Sequence, residues 1–253
     1  MEIQPTKLID FNINWLQSVS STNDFCMQSA AKGAGEGLVV AAHFQQNGRG
    51  QRGNVWSSRL GKNLTFSILL RPVFLRVEEQ FLISKITALS LCEFVRTKIN
   101  SDEVRIKWPN DIYINNSKVA GVLIESCFSS STLEQTVVGI GLNMNQVEFP
   151  ENLPNPTSLA LQAGQHFGLE LSLSEYLKIF AKWYGFLQGE NRNIIDHSYL
   201  QQLYRLGIFS SYISNNVEFT AKIVGISQIG ELMLQTLDGN VKKYAFKEVA
   251  FVV

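Results

Sequence analysis

Two stretches of the chain hold residue types that could manage a ligand carrying both a phosphate and a flat ring. The first is Gln45-Gln46-Asn47-Gly48-Arg49-Gly50-Gln51-Arg52-Gly53-Asn54-Val55-Trp56, with three glycines, two guanidiniums and one indole in twelve residues. Arginine's rigid fork of donors fits phosphate and carboxylate oxygens. The glycines would let such a strap fold over what it binds. The second stretch runs from Lys107-Trp108-Pro109-Asn110-Asp111 to Lys118-Val119-Ala120-Gly121. Lys118 adds a different kind of cation, and Gly121 permits close approach beside it. Asp111 next to Asn110 suits Mg²⁺, which usually takes a carboxylate or two and completes its shell with phosphate oxygens. The same carboxylate suits the capping of a turn. Lys118 taken alone reads as a solvated strand-end lysine. Trp56 reads either as a core indole or as a cover for an aromatic base.

Other chemistries are excluded. Gly48, Gly50 and Gly53 satisfy G-x-G-x-x-G, but that dinucleotide fingerprint needs a helix at the third glycine and an acidic residue about 20 positions on. Here Asn54-Val55-Trp56-Ser57-Ser58 follows, then a strand-like run from Asn63 to Leu70, and Val73-Phe74-Leu75 holds no carboxylate. Gly61-Lys62-Asn63 lacks the hydroxyl residue and glycine spacing of a P-loop. No Ser-His-Asp or Cys-His set suggests a covalent nucleophile. Cys26, Cys92 and Cys127 have neither metal-ligand spacing nor a disulfide framework, and His43, His166 and His197 are scattered. What remains is catalysis by positioning and by cations at developing phosphate charge. That is the economy of an adenylating enzyme. A carboxylate attacks the α-phosphorus of ATP, pyrophosphate leaves, and the mixed anhydride acylates an amine.

The elements that must position these residues follow from periodicity. A strand over Ile13–Val19 leads to Ser20-Ser21-Thr22-Asn23, capping residues ahead of a helix from Asp24 to Lys32 that Gly33 ends. Either Ser21 or Thr22 simply caps, or the helix N-terminus binds a carbonyl or an anion. Residues 37–44 form a strand into the strap, and 63–70 a buried strand. Apolar residues at helical spacing predict one long helix from Val77 to about Ile99. Val104–Trp108 alternates as a strand that Pro109-Asn110 breaks. Asp111–Ile114 and Lys118–Ser126 pair as a hairpin across Asn115-Asn116-Ser117. Gln135–Asn143 is a further strand. Its Gly139 and Gly141 share one face, which predicts a group pressed against the backbone there. A short helix from Thr157 or Ser158 to Ala163 stops at Gly164. Ser172 or Ser174 opens a longer helix through Leu187, and a third covers about Asp196–Leu206. From Val217 onward three short strands with glycine turns suggest a small barrel. The expected division is residues 1–206 and 207–253.

Bulk properties agree with this plan. The chain has 253 residues, 45% hydrophobic and 17% charged, as for one large domain with a small appendage. Basic and acidic residues number 22 each, so no strong field toward nucleic acid or an anionic membrane is expected. No secretory leader is visible, and no apolar run approaches the roughly 18 residues of a membrane span. The expected setting is a reducing cytoplasm.

Taken together, the motifs resemble those of biotin protein ligases, in the form that lacks the N-terminal DNA-binding domain. Ser20-Ser21-Thr22-Asn23 is similar to that family's S-T-N element, and Gly48–Gly53 with Trp56 to its arginine-glycine loop. Lys107–Asp111 is similar to its K-W-P-N-D motif, Lys118–Gly121 to K-x-x-G, and Gly139–Asn143 to G-x-G-x-N. The resemblance implies an α+β fold, a central mixed β-sheet flanked by helices, with an SH3-like β-barrel at the C-terminus. It implies that Ser21, Thr22, Asn23 and Gln45 bind the biotin ring, with Gly48, Arg49, Gly50 and Gly121 around the ligand's carboxylate and adenylate phosphate. Lys118 and Arg49 would stabilise the reacting oxygens. Arg52, Trp56, Lys107, Asn110 and Asn143 would serve the nucleotide, and Asp111 would support Mg²⁺. The implied cofactors are ATP and Mg²⁺, with biotin as substrate. The implied partner is a biotin carboxyl carrier domain of a biotin-dependent carboxylase, without nucleic acid or membrane, and exposed edge strands could pair into a homodimer. Gln51 departs from the pattern, because the family often has arginine there. Lipoate–protein ligase chemistry is the alternative enzyme reading. A biotin-responsive repressor would need a DNA-binding segment where only 19 residues precede Ser20.

Overall fold

Short runs rich in apolar residues build the larger of two sheets. The computed structural model describes residues 9–99, 101–189 and 192–252, and the side chain of Arg52 lies outside what it describes. Seven strands, β1 (Asn12–Leu16), β2 (Leu38–Ala42), β3 (Leu64–Leu70), β4 (Val104–Lys107), β5 (Asp111–Ile114), β6 (Ser117–Ser129) and β7 (Thr132–Leu142), lie in the order β1-β2-β3-β7-β6-β5-β4. Only β1 and β2 run parallel; helix α1 (Thr22–Ala31) connects them. The central strands β3 and β7 are covered on both faces, so their sequences are apolar runs with little alternation.

Alternation nevertheless decides which residues face which layer. Val39, Phe66, Ile68, Val138 and Ile140 join the main core with helices α2 (Phe81–Ile99), α4 (Leu169–Gln188) and α5 (Asn193–Gln201). Val40, Leu69 and Val137, one position out of phase, pack against Cys26 and Ala30 of α1. The α1 face therefore also carries Ser67, Gly139 and Leu123 in one cross-strand row, and Thr65, Gly141, Gly121 and Asp111 in the next. A short helix α3 (Leu159–Ala163) is capped by Ser158 and ended by Gly164 at φ 68°, as expected.

Five antiparallel strands form the second sheet: β8 (Ser210–Ser214), β9 (Val217–Ile226), β10 (Leu232–Thr236), β11 (Val241–Tyr244) and β12 (Ala250–Phe251), ordered β11-β10-β9-β8-β12. It agrees with the expected SH3-like barrel at the C-terminus. Asn215 and Asn216 turn the β8–β9 hairpin with φ of 51° and 62°, values that asparagine tolerates better than most residues. Trp108 Nε1 donates to Gly230 O at 2.8 Å and ties this sheet to the larger one. Among the described residues no helix is long and apolar enough to cross a membrane.

Several element boundaries differ from the sequence expectations. The long helix does not begin at Val77; a single 3-10 turn (Val77–Glu79) precedes α2. Helix α4 begins at Leu169, before either candidate serine, with Gly168 as an N-cap that has no side-chain cap. Helix α5 ends at Gln201 because the next residues pair with β4 instead: Tyr204 N donates to Ile106 O at 2.8 Å, and Arg205 takes φ 61°. Strands β8 and β12 were not anticipated; one is serine-rich and the other has two residues. The expected extended start falls partly on residues 1–8, outside the described residues.

Candidate functional site

The glycines of β6 and β7 make the floor of a cleft of about 400 Å³. A Cβ on Gly141 would lie 2.2 Å from Trp56 Cε2, and one on Gly121 3.2 Å from Trp56 Cζ3. The Trp56 indole therefore lies directly on the bare backbone of these paired strands. A Cβ on Gly139 would lie 2.0 Å from Asn23 Oδ1. The expectation of a close approach at this glycine pair is met twice, by two different side chains. Trp56 Nε1 is buried and has no hydrogen-bond partner among the described residues. A donor left unpaired in this way costs about 1–3 kcal/mol.

One end of the cleft is the N-terminus of α1. Ser21 is its N-cap, accepting from Asp24 N at 3.4 Å. Thr22 N donates to Gln45 Oε1 at 2.8 Å, and Ser67 Oγ donates to Asn23 Oδ1 at 2.6 Å. Thr22 Oγ1 is 2.8 Å from the same Ser67 oxygen. Ser21, Thr22, Asn23 and Ser67 are all at least nine-tenths buried. Polar groups so enclosed keep fixed positions because each is bonded. The capping and ligand-facing readings of this cluster are thus compatible: Ser21 caps, and all three α1 residues line the cleft.

The strap is a small closed hairpin. Trp56 N donates to Gly48 O at 2.9 Å and Gly50 N to Asn54 O at 2.7 Å, around one 3-10 turn (Gln51–Gly53). Arg49 reaches down from it, with Nη2 at 2.6 Å from Asp24 Oδ1 and 2.7 Å from Glu125 Oε2. At the other end Lys118 Nζ lies 2.6 Å from Asp111 Oδ1. That contact is an ion pair without hydrogen-bond alignment, so Asp111 Oδ1 has no regular donor. Asn110 Nδ2 donates to Val122 O at 2.8 Å and so pins the turn that carries Asp111.

Ser21, Thr22, Asn23, Gln45, Arg49, Gly50, Gln51, Trp56, Asn110, Asp111, Lys118 and Gly121 all line this one cleft. Gly48, Lys107 and Asn143 do not. A Cβ on Gly48 would meet Trp56 O at 2.2 Å, so this glycine closes the strap hairpin and does not face the cleft. Lys107 Nζ is 3.0 Å from Tyr113 Oη and lies over the rings of Tyr113 and Phe251. Burial pulls its pKa below the ordinary lysine range, Asp111 opposes that, and Lys118 and Arg205 reinforce it. Asn143 is buried, with Nδ2 donating to Thr157 O at 3.0 Å, and holds the 152–157 loop. The placement of Arg52's side chain is outside the description. Glu125, Ser67, Phe246 and Phe251 belong to the site's surroundings and were not anticipated. Glu125 could have been found from β6 alone, because it shares the face of Gly121 at even spacing.

Among the described residues no three His, Cys, Asp or Glu side chains cluster to hold a metal. The single buried carboxylate oxygen of Asp111, beside Asn110, fits a Mg²⁺ that arrives with phosphates rather than a resident protein cage.

Comparison with known proteins gives consistent matches. The model of the biotin/lipoate A/B protein ligase family matches residues 15–143. A biotin–[acetyl-CoA-carboxylase] ligase of Paracoccus denitrificans is 30% identical over 227 residues, which span 87% of this chain and 92% of that protein. The bifunctional ligase/repressor BirA of Bacillus subtilis is 29% identical over 250 residues, 95% of this chain and 74% of the relative. A biotin protein ligase from Aquifex aeolicus, solved in complex with biotin and ATP, superposes with a TM-score of 0.79 at 27% identity, covering 95% of this chain and 98% of that one. With half of its length matched by the family model and a relative of 30% identity along most of it, the chain belongs to the biotin/lipoate A/B protein ligase family.

Proposed function

We propose that the protein is a biotin–[biotin carboxyl carrier protein] ligase that activates biotin with ATP and passes the biotinyl group to a lysine. The observation that carries this reading is the meeting, in one cleft, of a fixed neutral polar cluster (Ser21, Thr22, Asn23, Gln45) with two cations, Arg49 beside that cluster and Lys118 at the other end. A bicyclic urea needs bonded donors and acceptors held in register; a carboxylate meeting a phosphate needs cations. A carboxylate oxygen of biotin attacks the α-phosphorus of ATP. The bond from that phosphorus to the bridging oxygen breaks, and pyrophosphate leaves with the electron pair. Lys118 and Arg49 offset negative charge on the oxygens in this step without bonding covalently. The acceptor lysine's amine then attacks the acyl carbon, AMP leaves, and the amine's proton passes to solvent. Trp56 is the cover for the adenine, with its unpaired Nε1 as a donor. Bound Mg²⁺ would neutralise phosphate charge; Asp111 and Asn110 are the residues that would hold it. We assign residues 1–206 to the catalytic domain and 207–253 to the SH3-like domain.

The test is exchange of labelled pyrophosphate into ATP, run with biotin and with lipoate, followed by transfer to an isolated biotin carboxyl carrier domain. Biotin-dependent exchange followed by transfer is expected. Exchange that responds to lipoate alone would overturn the substrate assignment.

A further inference from the structure

Two carboxylates hold the strap's guanidinium, and the chemistry just described gives them no role. Asp24 Oδ1 lies 2.6 Å and Glu125 Oε2 2.7 Å from Arg49 Nη2. The acids come from separate elements: Asp24 from the first turn of α1, Glu125 from β6 on the face that carries Gly121. Glu125 Oε2 also accepts from Asn23 Nδ2 at 2.8 Å. One carboxylate oxygen thus joins the strap to the buried polar end of the cleft. Both carboxylates meet a single nitrogen of Arg49; its Nη1 and Nε have no partner among the described residues.

Such acids could act in two opposite senses. As a lock, they would compete with an incoming anion, and removing them would tighten its binding. As a brace, they would orient the fork, and removing them would loosen it. The side chains of Arg49, Asp24 and Glu125 are 42%, 46% and 30% exposed. An ion pair with that much solvent around it shifts an equilibrium by at most about five-fold. That is too little to withhold an arginine from bidentate bonds to a phosphate or carboxylate. The geometry also leaves the rest of the fork open for such bonds. Ordering a free arginine costs rotamer entropy, and here the acids impose the order before any ligand arrives.

We propose that Glu125 and Asp24 are positioning residues that pre-orient Arg49, and with it the strap, for retention of the acyl adenylate. The inference rests on the adenylation reading for its second arm only. The first arm needs no ligand: limited trypsin digestion of the full chain, scoring cleavage after Arg49. Glu125→Gln and Asp24→Asn are each expected to speed that cleavage by roughly two- to five-fold, the worth of one partly exposed ion pair. Unchanged cleavage in both variants overturns the proposal. The second arm measures escape of preformed biotinyl-adenylate. Glu125→Gln is expected to speed escape by a similar factor in the wild-type background and to have no effect in Arg49→Ala. Equal factors in both backgrounds would mean that Glu125 acts independently of Arg49, which also overturns the proposal. Asp24 is half exposed at the surface, so its variant separates loss of bracing from a folding defect at Glu125. If the wild-type chain makes no adenylate, the functional reading falls while the digestion arm still decides the bracing.

Discussion

Replacing the floor glycines with alanine should separate a mobile wall of the cleft from a fixed one. At Gly141 the new Cβ would sit 2.2 Å from Trp56 Cε2 and 2.6 Å from Cδ2 and Cζ2. Ordinary carbon contacts need about 3.5–4.0 Å, so the ring must retreat by about 1.5 Å. Trp56 can do so, because it closes a surface strap whose neighbour Val55 is 74% exposed. At Gly139 the new Cβ would sit 2.0 Å from Asn23 Oδ1. Asn23 cannot yield in the same way: it is 4% exposed and bonded to Ser67, Leu123 O and Glu125. Overpacking a site that cannot relax costs about 1–3 kcal/mol, and alanine in place of glycine in a strand returns about 0.5–1 kcal/mol. Gly139→Ala should therefore lose about 1–2 kcal/mol of unfolding free energy, while Gly141→Ala should stay within about 1 kcal/mol of wild type. The functional order reverses. Stacking of a base on an aromatic ring is worth about 1–3 kcal/mol, so Gly141→Ala should raise the KM for ATP about ten-fold or more. Urea denaturation followed by the ATP dependence of pyrophosphate exchange measures both quantities. The reasoning is refuted if Gly141→Ala destabilises as much as Gly139→Ala, or if its ATP dependence matches wild type.

Three further outcomes follow from the same geometry. Lys118→Ala should nearly abolish adenylate formation and leave far-ultraviolet circular dichroism unchanged, since the lysine is partly exposed and its ammonium meets Asp111 and the Trp56 ring at the cleft wall; near-wild-type turnover would remove it from the chemistry. Gln51→Arg, which adds a cation to the cleft lining, should slow escape of biotinyl-AMP, measured by trapping released adenylate. Stability should fall as pH rises above 9, because burial pushes the Cys26 and Cys92 thiols from 9.0 up to about 12. In that window the unfolded thiols lose protons and the folded ones keep them, so unfolding is favoured by about 1.4 kcal/mol per pH unit for each thiol. Lys107, with its pKa lowered, acts in the opposite sense. Denaturant midpoints at pH 8 and pH 10 that coincide would contradict the thiol contribution.

What the sequence made legible was local. Glycines two apart on β7 announced a close approach, and a serine before an apolar helix announced a cap, because both signals act within a few residues. The glycine-rich strap was legible as a strap because no helix could start at Gly53. Its acidic partners were not. Arg49 meets Asp24 across 25 positions and Glu125 across 76, and no local pattern encodes which carboxylate a folded sheet will bring under a guanidinium. The end of α5 was misplaced for a related reason: after Gln201 the backbone bonds to β4, so tertiary pairing replaced the helix that local spacing favoured.

The K-W-P-N-D stretch shows how contiguous residues come to serve different structures. Asn110 and Asp111 turn into the cleft, where Asp111 pairs with Gly121 in the sheet register and with Lys118 by charge. The two residues before Pro109 also do other work, though Trp108 lines the cleft as well. Lys107 lies between the rings of Tyr113 and Phe251. Trp108 bonds Gly230 and meets the Phe246 ring edge-on at 5.3 Å. Phe246 and Phe251 in turn line the cleft. The motif therefore acts as a joint: Trp108 to Asp111 line the cleft, and Lys107 and Trp108 also hold the second sheet against it. A substitution at Lys107, which does not line the cleft, should accordingly be felt through the position of Phe251, over whose ring it lies, rather than through a contact of its own, so residues that share a motif need not share a role.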